Sequence, residues 1–337
     1  LLEQGLDKGS YPEVLYKYRT IEQLEMILDN HSFWFASPNT FNDPFDCSLS
    51  EVDSYELGDA RTHFLSIGIE ERHVSKSIEM FQKDPLKLQE LVTTIKDKTI
   101  NNKGILSLSA CHDDILMWSH YADEHKGIVV EFDVDIKDPF SLFSTVDAPK
   151  SANAKFDKVR YRKRRNYPYT ITKSNINDVA EHYYLTKSDE WIYEKEYRFI
   201  VPFTMFNKVL VNMKAPKSRD TLLSLGIKSW DEKSDIIDIS IEPALLNFEA
   251  LASVFESSRE NGFLFFINVN PKKLSKLFVG VDSCDEELVD PIKNAYHYSP
   301  YYCPIERVFY DVDKGRVHNS RFEILFEPFC PQGFISS

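Results

Sequence analysis

The chain has 337 residues, 42% of them hydrophobic, with 24 Phe and 17 Tyr but only 11 Gly, which supports a packed core of one or two domains and excludes a disordered or glycine-rich architecture. Its formal net charge of −13 repels phosphate backbones, so any nucleic-acid contact needs a local basic patch. The five cysteines (Cys47, Cys111, Cys284, Cys303, Cys330) are scattered and never form a C-x-x-C pair, which argues against a disulfide framework or zinc ribbon and leads us to expect a reducing, cytoplasmic setting.

No apolar run reaches the roughly 18 residues of a transmembrane helix. The chain begins at Leu1 rather than Met, as a truncated or tagged form would, and its first residues lack the basic and apolar regions of a signal peptide. Val14 to Tyr18 reads as a strand. Thr20 and Gln23 have capping-box spacing and open a helix over Ile21 to Leu28, with Ile21, Leu24, Ile27 and Leu28 on one stripe. Ser32 to Ala36 is a second strand, followed by a Ser37-Pro38-Asn39 turn. Residues 50–100 read as an inserted helical region. Ile105 to Ala110 is a strand, Asp113 caps a helix through Ala122, and Gly127 precedes a strand at Ile128 to Phe132. Lys155 to Arg162 reads as a strand, Val179 to Leu185 as a helix and Glu196 to Val201 as a strand. Residues 205–260 give no assignment. Phe263 to Val269 and Lys276 to Val281 read as strands, Glu286 to Tyr296 as a helix, and Arg307 to Asp311 and Arg321 to Phe326 as closing strands. The mixture lacks a βαβ rhythm and predicts an α+β fold with a mixed central sheet. One domain is expected over 14–327, with a poorly ordered segment at 1–13 and a tail at 328–337.

No G-x-G pair, Walker A loop, G-x-S-x-G elbow, H-E-x-x-H or EF-hand loop is present. Nucleotide chemistry would therefore need a fold without a glycine-rich loop. Five segments could carry chemistry. Tyr16-Lys17-Tyr18-Arg19 is a strand ending in two cations, suited to a phosphate or carboxamide or simply to snorkelling at a sheet edge. Phe41-Asn42-Asp43-Pro44-Phe45-Asp46 is an Asx-type loop pinned by its Phe side chains, with Asn42 and Asp43 as alternative pocket residues. Ser107 and Ser109 share a strand face, and Leu116, Met117, His120 and Tyr121 share a helix face that reads mainly as core. His120 and His125 could ligate a metal only with carboxylates from elsewhere, and no metal is expected.

The fourth segment, Trp191-Ile192-Tyr193-Glu194-Lys195-Glu196-Tyr197-Arg198-Phe199, carries the strongest signal. Glu194 and Glu196 would lie on one strand face, and paired carboxylates are costly unless used or neutralised by Lys195 or Arg198. One could have a raised pKa while the other steadies developing positive charge. The fifth, Lys158, Arg160, Arg162, Lys163, Arg164 and Arg165 beside Tyr161, Tyr167 and Tyr169, suits either single-stranded nucleic acid or a solvated strand and turn.

Four of these motifs occur in a recognisable order: Leu15-Tyr16-Lys17-Tyr18-Arg19; Phe33 to Pro38 with Phe41-Asn42-Asp43-Pro44-Phe45; Leu116-Met117-Trp118 with Tyr121-Ala122 and His125-Lys126-Gly127; and Trp191 with Tyr193-Glu194 and Glu196-Tyr197-Arg198. In this order the chain resembles the bacterial domain-of-unknown-function family numbered twenty-nine seventy-one, from about residue 14 to 282 with a weaker tail to 327. That resemblance implies motif positions rather than a reaction. Arg19, Ser107-Leu108-Ser109 and Glu194-Lys195-Glu196 also resemble the basic residue, S-x-S and E-x-E of arginine–serine–glutamate ADP-ribosyltransferases. This second resemblance implies an ADP-ribosyltransferase-like fold and NAD as substrate. Arg19 would hold a phosphate or the nicotinamide end, and Ser107 or Ser109 would support the ribose. Tyr18, Trp118 and Tyr121 would complete the cofactor-binding set. Glu196 would stabilise an oxocarbenium-like transition state and Glu194 would orient the acceptor. The expectation is an NAD-using enzyme acting as a toxin or phage-defence effector. The alternative is a non-catalytic, nucleic-acid-linked or ligand-sensing protein of bacterial defence or regulation.

Overall fold

In a computed structural model, residues 11–28, 31–43, 46–47, 57–66, 68–88, 90–91, 103–143, 154–163, 176–240, 253–255, 257–283, 305–311 and 316–321 are described. The Val14–Arg19 strand (β1) leads into α1, Glu22–Leu28, and Ser32–Phe35 forms β2. In α1 the expected stripe holds at Leu24 and Ile27, which are buried in the main core. Between β2 and β3 (Lys103–Ser109) come α2 (Leu57–Ser66) and α3 (Glu71–Lys83), with residues 85–88 and 90–91 also helical, so the described part of the 50–100 insertion is mostly helical. Then come α4 (Ile115–Tyr121), β4 (Ile128–Asp133), β5 (Lys155–Lys158), β6 (Arg160–Tyr161), α5 (Ile176–Tyr184), β7 (Thr186–Lys187) and β8 (Glu196–Pro202). Later strands are β9 (Lys208–Asn212), β10 (Ile236–Asp238), β11 (Phe263–Asn268), β12 (Leu274–Val279), β13 (Ile305–Asp311) and β14 (Arg316–Arg321).

The described strands form an eight-stranded sheet ordered β14-β13-β12-β4-β1-β3-β8-β5, a four-stranded sheet ordered β10-β9-β11-β2, and a small β6-β7 pair. Most neighbours are antiparallel; β12–β13 and β6–β7 are parallel. Helices and mixed sheets without a βαβ repeat make this an α+β fold. The main core joins the two larger sheets: Leu15, Leu106, Val130 and Phe199 pack with Phe33, Phe35, Ile267 and Val269. Phe33 and Phe132 meet edge to face at 4.8 Å, a favoured aromatic geometry.

Several expectations shift. Asp114, not Asp113, caps α4, its carboxylate accepting from the backbone N–H groups of Leu116 and Met117. The expected Lys155–Arg162 strand breaks at Val159 into β5 and β6, and β6 turns to pair with β7. The unassigned 205–260 stretch supplies β9 and β10, whose alternation was too short to read alone. The expected 286–296 helix, the 322–326 strand end, Pro44, Phe45, the 1–10 segment and the 328–337 tail lie outside the described residues.

Candidate functional site

Strand β3 has two neighbours along one edge. Near its end, Ser109 pairs with Tyr16 of β1. Near its start, Ile105 exchanges two backbone hydrogen bonds of 2.9 Å with Ala36, just after β2. Between these points β1 and β3 part. The Lys17 ammonium reaches across the gap and donates to the Ser107 carbonyl at 2.5 Å, supplying a partner on an edge without a strand. A cavity of about 160 Å³ opens here, walled by Tyr16 to Arg19 of β1, Ser107 to Ser109 of β3, Asn42, Asp43 and Asp46, and Met117, Tyr121, Lys187, Trp191, Glu194, Glu196 and Arg198.

The β3–β8 register sets Ser109 opposite Glu196 and Ser107 opposite Arg198, so these four side chains share one face. Arg198, only 1% exposed, is the hub. Its Nε donates to Glu196 Oε1 at 2.7 Å and its Nη2 to Glu196 Oε2 at 3.0 Å. It also grips Asp46 through Nη1 at 2.9 Å and Nη2 at 2.6 Å, and the Tyr184 carbonyl at 2.8 Å. Lys187 lies 2.6 Å from Glu194 and 3.5 Å from both Glu196 and Asp46, with Trp191 covering its ammonium at 5.0 Å. Fully ionised, three carboxylates meet two cations here and one negative charge is left over.

The two glutamates are driven apart. Burial pushes Glu196 upward, but the charges of Arg198 and Lys187 outweigh it and hold the carboxyl well below the usual range. Burial and the adjacent Glu196 charge raise Glu194, against Lys187 and against the Tyr121 hydroxyl, which donates to Glu194 Oε1 at 2.6 Å. Glu194 does not reach this position by strand alternation. It ends a 3-10 turn, Asp189–Glu194, and Lys195 follows in the left-handed region at φ 46° before β8 begins. The backbone kink, not a period of two, brings both carboxylates to the cavity. Lys195 is exposed and contacts the Cys111 sulfur at 3.4 Å, so of the two expected neutralising residues only Arg198 pairs with a glutamate.

Tyr18, Arg19, Ser107, Ser109, Tyr121, Glu194 and Glu196 therefore converge on one cavity. Trp118 does not line it: it is 1% exposed, and its indole N–H donates to the His112 carbonyl at 2.7 Å, fixing the loop after β3. Ser109 is likewise engaged, donating to the Glu194 carbonyl at 2.7 Å and accepting from the Cys111 N–H. Leu116, expected on the packed face of α4, is 45% exposed, whereas Met117 and Tyr121 wall the cavity. His120 Nδ1 lies 3.1 Å from the Tyr193 hydroxyl. Among the described residues no group of three His, Cys, Asp or Glu is placed to hold a metal. Lys187 carried no sequence signal beyond a lysine near Trp191, and Asp46 sat at the end of a loop read for Asn42 and Asp43. In the basic stretch Lys158, Arg160, Arg162 and Lys163 are exposed, while Tyr161 turns inward and accepts the Glu196 N–H at 2.8 Å; Arg164 and Arg165 lie outside the described residues.

Gly127 and the preceding turn explain the His125-Lys126-Gly127 motif. Asp123, Glu124 and His125 all have positive φ (45°, 52° and 71°), and a methyl at 127 would overlap the Arg19 carbonyl oxygen. The motif thus seats the end of β1 and, with it, Arg19. Among the described residues no helix is long and apolar enough to cross a membrane. No curated protein and no solved structure matches the chain. Residues 117–199, which run from the cavity wall of α4 through the Glu194–Arg198 cluster, match the family described as "Protein of unknown function (DUF2971)".

Proposed function

We propose that the cavity is the reacting end of an NAD site in an ADP-ribosyltransferase-like enzyme. The observation that carries this reading is the convergence of Arg19, Ser107, Glu194 and Glu196 on one cavity, with the two carboxylates shifted in opposite directions. Its volume of about 160 Å³ resembles the roughly 150 Å³ that accommodates a benzene ring, so it suits a nicotinamide ring rather than a whole dinucleotide. Tyr16, Tyr18, Trp191 and Met117 supply apolar walls for that ring.

In this mechanism the ribose C1′–nicotinamide bond breaks with its electron pair leaving on the nicotinamide nitrogen. Glu196, kept ionised, faces the developing oxocarbenium charge. Glu194, ionised just before the step, accepts the proton of the nucleophile as its bond to C1′ forms; a raised carboxyl suits that transfer near neutral pH. Tyr121 and Lys187 hold it in place. A protein that consumes NAD or marks a target with ADP-ribose in the cytoplasm fits a toxin or phage-defence effector.

Nicotinamide release from NAD, followed by chromatography, tests the reading. Glu194→Gln and Glu196→Gln should each slow release by about 10²–10⁴-fold, the span of a lost acid–base group. Unchanged release in both variants removes the site assignment, and no NAD binding or consumption under any condition removes the class. A second reading, single-stranded nucleic-acid binding, is favoured by exposed Arg160, Arg162 and Lys163. It requires affinity that falls steeply with salt and drops when these three are neutralised.

A further inference from the structure

A second cavity of about 160 Å³ also has Arg19 in its wall. The rest of its lining comes from three elements: Gln23 and Ile27 of α1, Ser32, Phe33 and Trp34 of β2, and Leu264 and Phe266 of β11. Phe266 pairs with Trp34 across the β2–β11 register, so both rings lie on one sheet face. Among the described residues no carboxylate lines this cavity. Trp34 and Gln23 are only partly buried, which leaves a ring face and an amide within reach of a ligand.

Arg19 is the feature common to both cavities. Its one hydrogen bond among the described residues is a long one, 3.4 Å, to the Tyr18 carbonyl, and no described carboxylate pairs with it. Burial alone pulls its guanidinium down to about 10. A desolvated cation without an anion is costly, and a guanidinium presents five donors in a fork that suits phosphate oxygens. Lys17, on the same strand face, sets its amine beside the first cavity, where burial and the neighbouring Arg19 charge pull it well below the usual lysine range.

Two ring-sized cavities that share an anion-seeking residue match a ligand with two flat rings joined by an anionic bridge. We propose that the Trp34 cavity binds the adenine end of the dinucleotide, with the diphosphate on Arg19 and the nicotinamide end in the first cavity. This rests on the NAD reading above and adds a subsite to it. The purine stacks against Trp34 or Phe266, as bases do on aromatic side chains. The Gln23 amide, both donor and acceptor, reads the edge of the base.

Calorimetric titration of the full chain with NAD, nicotinamide mononucleotide and AMP tests the assignment, using Trp34→Leu and Gln23→Ala with thermal melts run alongside. The wild type should bind AMP. Each variant should weaken NAD and AMP by about tenfold, within the range of a lost stacking or edge contact, and leave nicotinamide mononucleotide within about twofold. If Trp34→Leu does not fold, Gln23→Ala carries the comparison. NAD and AMP binding that is unchanged in the folded variants overturns the second subsite and leaves the first cavity's assignment standing. Equal weakening of all three ligands also overturns it, because the effect is then not confined to the second cavity. Absence of NAD binding to the wild type overturns both readings.

Discussion

Arg198 holds Asp46 and Glu196 together from a position with almost no access to water. Taking one partner out of such a cluster leaves buried charge without compensation, which costs roughly 3–5 kcal/mol. Arg198→Met should lower unfolding stability by about that amount in urea titrations. Arg198→Lys should recover only part, because an ammonium cannot fork to two carboxylates at once. The glutamates give opposite pH signatures. The folded-state pKa of Glu196 is depressed, so its contribution to stability is full above its unfolded value and is lost as pH falls through the folded one. That of Glu194 is raised, so its contribution is full below its unfolded value and is lost as pH rises through the folded one. The stability difference between Glu194→Gln and wild type should therefore move in favour of the variant between pH 4 and pH 8, as read from denaturant midpoints; movement the other way contradicts the assigned shift. The Glu-x-Glu spacing was readable in the sequence, as was the prospect of two unlike carboxylates. Lys187 and Asp46 were not, because what matters in them is a meeting across distant segments that no local pattern encodes.

At the level of elements, two backbone devices position the site, and neither follows from hydrophobic periodicity. The left-handed Lys195 lets a 3-10 turn deliver Glu194 beside Glu196. Glycine occupies that conformation without a Cβ penalty, which for other residues is roughly 1–2 kcal/mol. Lys195→Gly should therefore hold or raise the melting temperature, whereas Lys195→Val should lower it. Gly127 is the second device. Gly127→Ala forces the end of β1 away from the β4 turn, so Arg19 moves, and ligand affinity should fall in a protein that still shows the far-ultraviolet spectrum of the wild type. The sequence placed a glycine at this junction but gave no reason for it; the reason is an approach by a strand more than a hundred residues earlier. Strand existence was legible at β1, β2, β3, β4 and β8, where alternation or apolar runs are long. The break at Val159 was not, because β6 is held by backbone bonds to Leu185 and Lys187 rather than by its own pattern.

On the scale of the whole molecule, the α+β class followed from composition and the order of elements, while the arrangement of strands did not. Sheet order is fixed by long-range pairing: β1 sits between β4 and β3, and β12 joins β4 from the far end of the chain. The forked edge of β3 has a dynamic corollary. A strand that changes neighbours partway along offers no continuous ladder for cooperative opening, so β1 and the end of β2, held to β3 at Ser109 and Ile105 respectively, should open from it as separate local units. A molecule lodged in the gap would act as a third clasp. Hydrogen–deuterium exchange should then show β1, β2 and the adjoining part of β3 gaining protection together when ligand is added, while β9 and β10, at the remote side of the smaller sheet, keep their own rates.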